Sequence, residues 1–287
     1  MATIRPAAVA GRFYPATTDG CERMIDEMLV GVNTPAARGA IVPHAGWIYS
    51  GSTAALALAG IAAAQPEIII IIGTVHTPDP NPASVFGAGA WDTPLGPIQV
   101  DERLAARLSN HRQVVDCPAA HRREHSIEVQ LPIIQRLLPN ATVVPVSVRP
   151  GPQAVEIGQF FGSVVAEYAQ RVAVVGTTDL THYGPIFDFE PHGHGELGIR
   201  WAKEVNDRRL IRLIQTLDAA AVVPEAIASR NACGPGAVAA TIAAMREVGA
   251  KTYTELRHTC SAEAGAREDR DEFNSVGYES GVFTPPP

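Results

Sequence analysis

Apolar positions along the chain fall into two patterns. The first is a short, largely β-branched run without period-2 alternation: Ile68-Ile-Ile-Ile-Ile72 closed by Gly73, Ala40-Ile-Val42 after Gly39, the segment 142–148, and Val172-Ala-Val-Val175. Runs of this length predict strands buried on both faces, as in the middle of a parallel sheet. The second has helical spacing. Met24, Ile25, Met28 and Leu29 share a face within 19–29. The alanine-rich stretch 54–64 predicts a packed interior helix. Leu104 and Leu108 follow Asp101, a helix N-cap, and further helices are predicted over 129–138, 154–168, 197–217 and, after a break, 224–229. Pro235 suits the first position of a last helix carrying Val238, Ile242 and Met245. Alternating strands and helices without a linker predict an α/β fold, with a mostly parallel central sheet flanked by helices, in one domain over 1–287.

Other segments are punctuated by Pro and Gly. Residues 5–15 read as an extended strap with Phe13 and Tyr14 packing onto the body, and 77–82 as a loop. Residues 91–100 read as a hairpin at the sheet edge. Ser126 can cap the helix of 129–138, whose Pro132 must lie in the first turn or kink it. The last strands are expected over 251–258 and 275–283, with a charged loop over 264–272 and a frayed tail over 284–287.

In open α/β sheets, ligands bind past the carboxyl ends of the strands. Four segments carry chemistry there. His44 and His76 follow the first two core runs; Asp179 and His182 follow 172–175; Cys233 stands before Gly234-Pro235-Gly236 at a helix start. These ends are expected to converge on one metal site. Each residue also has a plainer reading. A lone His after a strand is commonly a hydrogen-bonded structural residue, and Asp179 can merely cap a turn. An Asp and a His three apart is a stronger signal, because the carboxylate can orient an imidazole. Cys233 can be a buried inert thiol, a metal ligand or a nucleophile favoured by the helix dipole. His125 and Glu128, also three apart, can be a cap and a surface pair. His192 and His194 sit in a polar loop and are expected to be solvated.

Composition narrows the classes. The 287 residues carry a net charge of -7 and no basic stripe, which argues against non-specific nucleic-acid binding. The cysteines Cys21, Cys117, Cys233 and Cys260 form no CxxC pair, a reducing-compartment pattern that predicts a cytoplasmic protein. No secretory signal and no apolar stretch long enough for a membrane span are visible.

The motifs Pro6-Ala-Ala-Val-Ala-Gly-Arg-Phe-Tyr-Pro15, Pro43-His-Ala-Gly-Trp-Ile-Tyr-Ser-Gly51, Gly73-Thr-Val-His76, Glu124-His-Ser-Ile-Glu128 with Leu131-Pro132, Thr178-Asp-Leu-Thr-His-Tyr-Gly184, Cys233-Gly234 and Ser275-Val-Gly-Tyr278 together resemble the Memo family, also called protein B of the AmmeMemoRadiSam system. The resemblance covers nearly the whole chain. It implies a fold similar to class III extradiol dioxygenases, which use non-haem Fe(II). It also implies His44, His76 and Cys233 as metal ligands, with Asp179 and His182 as the other polar residues of the pocket. Fe(II) is the expected metal, with Cu or Zn as alternatives that suit a thiolate. The expected chemistry is dioxygenase-like, with O2 and a small catechol-like substrate. His182 or His125 would act as acid or base, and Asp179 would orient one of them. A radical SAM protein of the same system is an implied partner. A non-catalytic binding module and a Cys233-dependent hydrolase are the alternatives. The chain departs from the family pattern at Thr74, where proline is usual, and at Thr177 and Thr178, where serine is common.

Overall fold

The computed structural model describes residues 3–168, 171–264 and 272–284. Its strands in chain order are β1 (Ile4–Arg5), β2 (Gly39–Val42), β3 (Ile68–Gly73), β4 (Ala83–Val85), β5 (Ala90–Trp91), β6 (Ile98–Gln99), β7 (Val114–Asp116), β8 (Thr142–Val148), β9 (Val172–Thr177), β10 (His182–Tyr183), β11 (Thr252–Cys260) and β12 (Ser275–Thr284). The α-helices are α1 (Thr18–Leu29), α2 (Trp47–Ala63), α3 (Glu102–Leu108), α4 (Leu131–Leu137), α5 (Gln153–Glu167), α6 (Glu196–Trp201), α7 (Asp207–Gln215), α8 (Ala219–Ser229) and α9 (Pro235–Glu247).

The isoleucine run is the middle of the main sheet. β3 pairs parallel with β9 on one side and β8 on the other, and β2 pairs parallel with β9. Every residue of β2, β3 and β9 is buried, which is why these segments lack alternation. Antiparallel strands finish both edges. β12 pairs with β2 and carries β10 and β11, while β4 pairs with β8 and carries β7. The register shows how the faces are covered. A Cβ on Gly39 would strike Met245 of α9, whereas Val282, which pairs with the next residue Ala40, lies beside Gly60 of α2. Consecutive strand residues point to opposite faces, so α2 and α9 cover the two sides. α5 packs against α9 at backbone distance, because Gly158 and Gly162 meet the carbonyls of Ala240 and Ala244.

Several local expectations change. The 91–100 hairpin forms, but β5 pairs with β1 and the three strands β1, β5 and β6 make a small separate sheet instead of extending the main one. The edge strands β4 and β7 are three residues each, too short to leave a pattern. The 197–217 helix is interrupted by a π turn over Ala202–Asn206. Asp101 does cap α3, accepting the Leu104 N–H at 2.7 Å. Pro132 lies in the first turn of α4, after a 3₁₀ turn over Glu128–Gln130. Of the charged loop and the tail, residues 265–271 and 285–287 lie outside the described residues. All four cysteines are free, and no helix of the described residues is long and apolar enough to cross a membrane.

Candidate metal centre

Three parallel strands deliver the site. β2 ends at Val42, two residues before His44; β3 ends at Gly73, three before His76; β9 ends at Thr177, two before Asp179. The start of α9 brings in Cys233. The Cys233 N–H donates to the Asp179 carbonyl at 3.1 Å, and the Asp179 N–H donates to Cys233 Sγ at 3.3 Å. This reciprocal pair ties the end of β9 to the start of α9. Only glycine fits at 234, since a Cβ there would lie 2.2 Å from Thr74 Oγ1 and 2.5 Å from the Thr177 carbonyl.

Around His44 the donors form two overlapping groups. The ligand atoms of His44, His76 and His125 lie within 4.8 Å of one another, and so do those of His44, Asp179 and Cys233. His44 Nε2 is 3.2 Å from Cys233 Sγ and 4.0 Å from Asp179 Oδ2. The His76 and His125 rings stack at 4.5 Å, and His44 meets both edge-on at 5.2 and 5.7 Å. The three ligands implied by the resemblance, His44, His76 and Cys233, are thus divided between the two groups, with His44 in both. A cavity of about 350 Å³ opens above them, lined by His44, His76, His125, Asp179 and His182 together with Arg12, Phe13, Tyr49 and Tyr278. Cys233 is not in its lining and reaches the site through His44.

The electrostatics suit a cation. Burial holds all four imidazoles below their ordinary value. His44 is depressed well below it, with the neighbouring His76, His125 and His182 adding to the effect. His76 falls to about 4 through burial and then His125, and His125 to about 4 through burial and then Arg12. His182 is lowered by burial alone. Neutral imidazole is the ligating form. Burial pushes Asp179 up to about 7, against the pull of hydrogen bonds from the His44 and Ala45 N–H groups. Burial and then Asp179 push the Cys233 thiol up to about 12. A cation bound beside such groups reverses both shifts. The His44 Nδ1 is buried without a partner. An N, O and S donor set built around neutral imidazoles fits a divalent transition metal.

Two expectations are corrected here. Ser126 does not cap a helix: its hydroxyl accepts the Thr74 N–H at 2.9 Å and donates to Glu124. The Thr74 N–H is one a proline at this place lacks, and its hydroxyl also donates to the Thr177 carbonyl at 3.1 Å, so the departure at 74 is used to tie β3 to β9. His125 and Glu128 are not a surface pair. His125 faces the cavity, while Glu128 is fully buried and bonded to Arg5 at 2.5 Å. His192 and His194 are exposed, as expected: His192 stacks on Trp201 at 4.0 Å, His194 pairs with Glu190 at 2.6 Å, and neither lines the cavity. Sequence reasoning gave Arg12 no role, because nothing in a strap motif signals that one of its side chains reaches the cavity.

A family model described as "Memo-like protein" matches residues 5–282. A MEMO1 family protein of Pyrococcus furiosus is 34% identical over 294 residues, covering 98% of this chain and 99% of its own. One from Pyrobaculum arsenaticum is 33% identical over 297 residues, covering 98% and 99%. The crystal structure of an uncharacterized protein from Escherichia coli K12 shares the fold, with a TM-score of 0.53 over 84% of this chain and 98% of its own at 13% identity.

Proposed function

The chain belongs to the Memo family, and from its cavity we propose a mononuclear metal enzyme in which His44, His76 and Cys233 hold the ion. The observation that carries this reading is His44. It is 2% exposed, common to both donor groups, and turns Nε2 toward Cys233 Sγ at 3.2 Å and Asp179 Oδ2 at 4.0 Å. A buried neutral imidazole facing a thiol and a carboxyl is a donor set that a cation holds together. The metal is Fe(II), which in such a ligand set supplies one-electron chemistry with O2; Cu and Zn are the alternatives that the thiolate admits.

The chain's own groups supply the rest. Asp179 accepts the His44 N–H at 2.8 Å and so holds the loop that carries that imidazole. His182 lines the cavity with Nε2 unpartnered, and a neutral imidazole there takes a proton from a substrate hydroxyl. His125 stands on the other side as the second acid–base group. The aromatic walls of Phe13, Tyr49 and Tyr278 suit a flat, catechol-like substrate and limit water. The test is anaerobic loading with Fe(II), Cu(I) or Zn(II), metal counting per chain, and O2 uptake with catechols. One ion per chain and uptake that disappears in His44→Ala are expected. No stoichiometric metal under any of these conditions overturns the reading.

A second reading rests on one distance. Cys233 Sγ lies 3.2 Å from His44 Nε2, the separation of a nucleophile and its base. Alkylation separates the two. A hydrolase loses activity to iodoacetamide whether or not metal is present, whereas a ligating thiolate is protected by the ion.

A further inference from the structure

The cavity carries one cationic side chain at its wall, Arg12, and the backbone that presents it is held on several sides. Arg12 lies in the strap between β1 and α1. Gly11, at φ +79°, lets the chain turn back, with its N–H donating to the Tyr14 carbonyl at 2.7 Å and the Arg12 and Phe13 N–H groups to the Val9 carbonyl at 3.0 and 2.9 Å. Glu128 grips the same loop from inside, accepting the Ala8 and Val9 N–H groups at 2.9 Å and the Tyr14 hydroxyl at 2.8 Å. The Phe13 carbonyl accepts the Trp47 N–H at 2.7 Å, which fixes the loop to the start of α2. A strap merely covering the core needs no such clamp.

The clamp presents Arg12 and Phe13 to the cavity. The guanidinium carbon lies 5.9 Å from the Phe13 ring, Phe13 meets His125 edge-on at 5.1 Å, and His125 stacks on His76 at 4.5 Å. A line of ring contacts therefore leads from an exposed cation to the imidazoles around His44. Among the described residues Arg12 makes no ion pair, unlike Arg5, whose charge is met by Glu128. Among the described residues the only carboxylate lining the cavity is Asp179, at the His44 end and already engaged by backbone N–H groups. Arginine is suited to a planar anion because its fork of donors matches a carboxylate.

Building on the enzyme reading above, we propose that the cavity takes a small aromatic carboxylate, with its anionic group on Arg12 and its ring against Phe13 and His125, and that Arg12 sets this preference over neutral aromatics. The far end of one ring then faces His44 and His76, where the dihydroxy edge of a catechol-type carboxylate belongs.

Calorimetric titration of the purified full chain, metal-free and metal-loaded, with 3,4-dihydroxybenzoate, catechol, benzoate and phenyl phosphate tests this. The parent is expected to bind 3,4-dihydroxybenzoate about 10-fold more tightly than catechol, in line with one charge-assisted hydrogen-bonded pair. Arg12→Met should abolish that difference while leaving catechol binding unchanged, and Arg12→Lys should keep part of it. Because Arg12 is exposed and unpaired, both variants should melt with the parent, and the Lys variant carries the test if the Met variant does not fold. Equal preference in the parent and Arg12→Met overturns the proposal, as does a parent that binds neither carboxylate. Tighter binding of phenyl phosphate than of either benzoate would reassign the anion and overturn the carboxylate. Metal content measured on the same samples keeps the two readings apart. Arg12-dependent benzoate binding by a chain that takes up no metal would sink the enzyme reading and leave this one standing.

Discussion

Two buried carboxylates, Glu128 and Asp179, are treated in opposite ways. Glu128 is closed. Its two oxygens take the Arg5 guanidinium, two backbone N–H groups and the Tyr14 hydroxyl, and it lines no part of the cavity. Arg5 is completed in turn by the His121 and Glu124 carbonyls and by the face of Trp91, 4.0 Å away. Asp179 is open. It accepts backbone N–H groups, has no Arg or Lys in salt-bridge contact among the described residues, and stands 4.0 Å from a neutral imidazole on the cavity floor. The first arrangement spends a buried charge on fixing a loop. The second leaves charge-forming groups uncompensated beside a space, which a folded chain tolerates where a cation is to be bound. Both carboxylates belong to motifs of the same family, so membership in a motif does not tell an anchor from a ligand; their partners do.

Breaking the anchor should have the largest effect. Arg5 and Glu128 are buried as a pair, so Arg5→Met or Glu128→Gln strands a charge or loses its counter-ion inside the protein. A loss of about 3–5 kcal/mol is expected, read from urea unfolding. The same variants should loosen the Arg12 loop. If either unfolds with the parent, the closed network is not what holds the strap.

The next largest effect belongs to the floor and should leave stability nearly untouched. His44→Ala removes the donor common to both groups. Metal affinity should fall at least about 100-fold, a share of the total binding energy of a multi-ligand site. The urea midpoint of the metal-free chain should stay close to that of the parent, because the imidazole it removes was itself incompletely bonded. Unchanged metal uptake would turn the comparison around and make the floor another structural cluster.

This contrast was only half visible in the sequence. β2, β3, β8 and β9 were legible because strands buried on both faces must be continuously apolar, and their ends named His44, His76, Asp179 and His182. Cys233 was legible from the Gly-Pro-Gly helix start behind it. The short strands β4 and β7 were hidden because their pairing is set by what lies beside them and not by local pattern, and the hairpin of β5 and β6 was legible while its pairing with β1 was not. Glu128 was misread for a related reason. Three-residue spacing puts two side chains together only on a helix, and 124–127 is irregular backbone and a turn leading into a 3₁₀ segment, so His125 and Glu128 part company. Arg12 reaches the cavity only because Glu128 folds the strap, a contact 119 or 120 positions away in the chain.

A third, smaller effect concerns the two acidic donors of the floor. Cys233→Ser keeps the size but offers a poor anion, whereas Cys233→Asp supplies a carboxylate to a two-His site. Iron retention should drop about 10-fold in the Ser variant and less in the Asp variant, by metal analysis after dialysis. In the parent, iodoacetamide should modify Cys233 slowly with metal bound and faster without it. Equal iron in all three proteins, with alkylation indifferent to metal, would remove Cys233 from the site and favour the nucleophile reading.

The smallest effect is the most diagnostic of an open carboxylate. Burial raises Asp179 from 3.8 to about 7. Between those values the folded chain keeps a proton that the unfolded chain has released. By linkage, the stability contributed by this group is present in full below about pH 4 and is lost as pH rises through 7. Asp179→Asn removes that loss and still offers an oxygen to the His44 N–H. The metal-free variant should therefore match the parent near pH 4 and exceed it at pH 8 by on the order of 1 kcal/mol, less than the full shift implies because water in the cavity relaxes the penalty. His76 and His125, both near 4, act in the opposite direction, destabilising the fold as pH falls below 6.5, but they are common to both proteins and cancel in the difference. Adding metal at pH 8 should reverse the ranking, since only the parent carries the carboxylate beside the ion. Urea melts at each pH with and without metal read this directly. An Asn variant less stable than the parent at pH 8 without metal would mean that Asp179 is as well compensated as Glu128, and the distinction between a closed anchor and an open floor would fail.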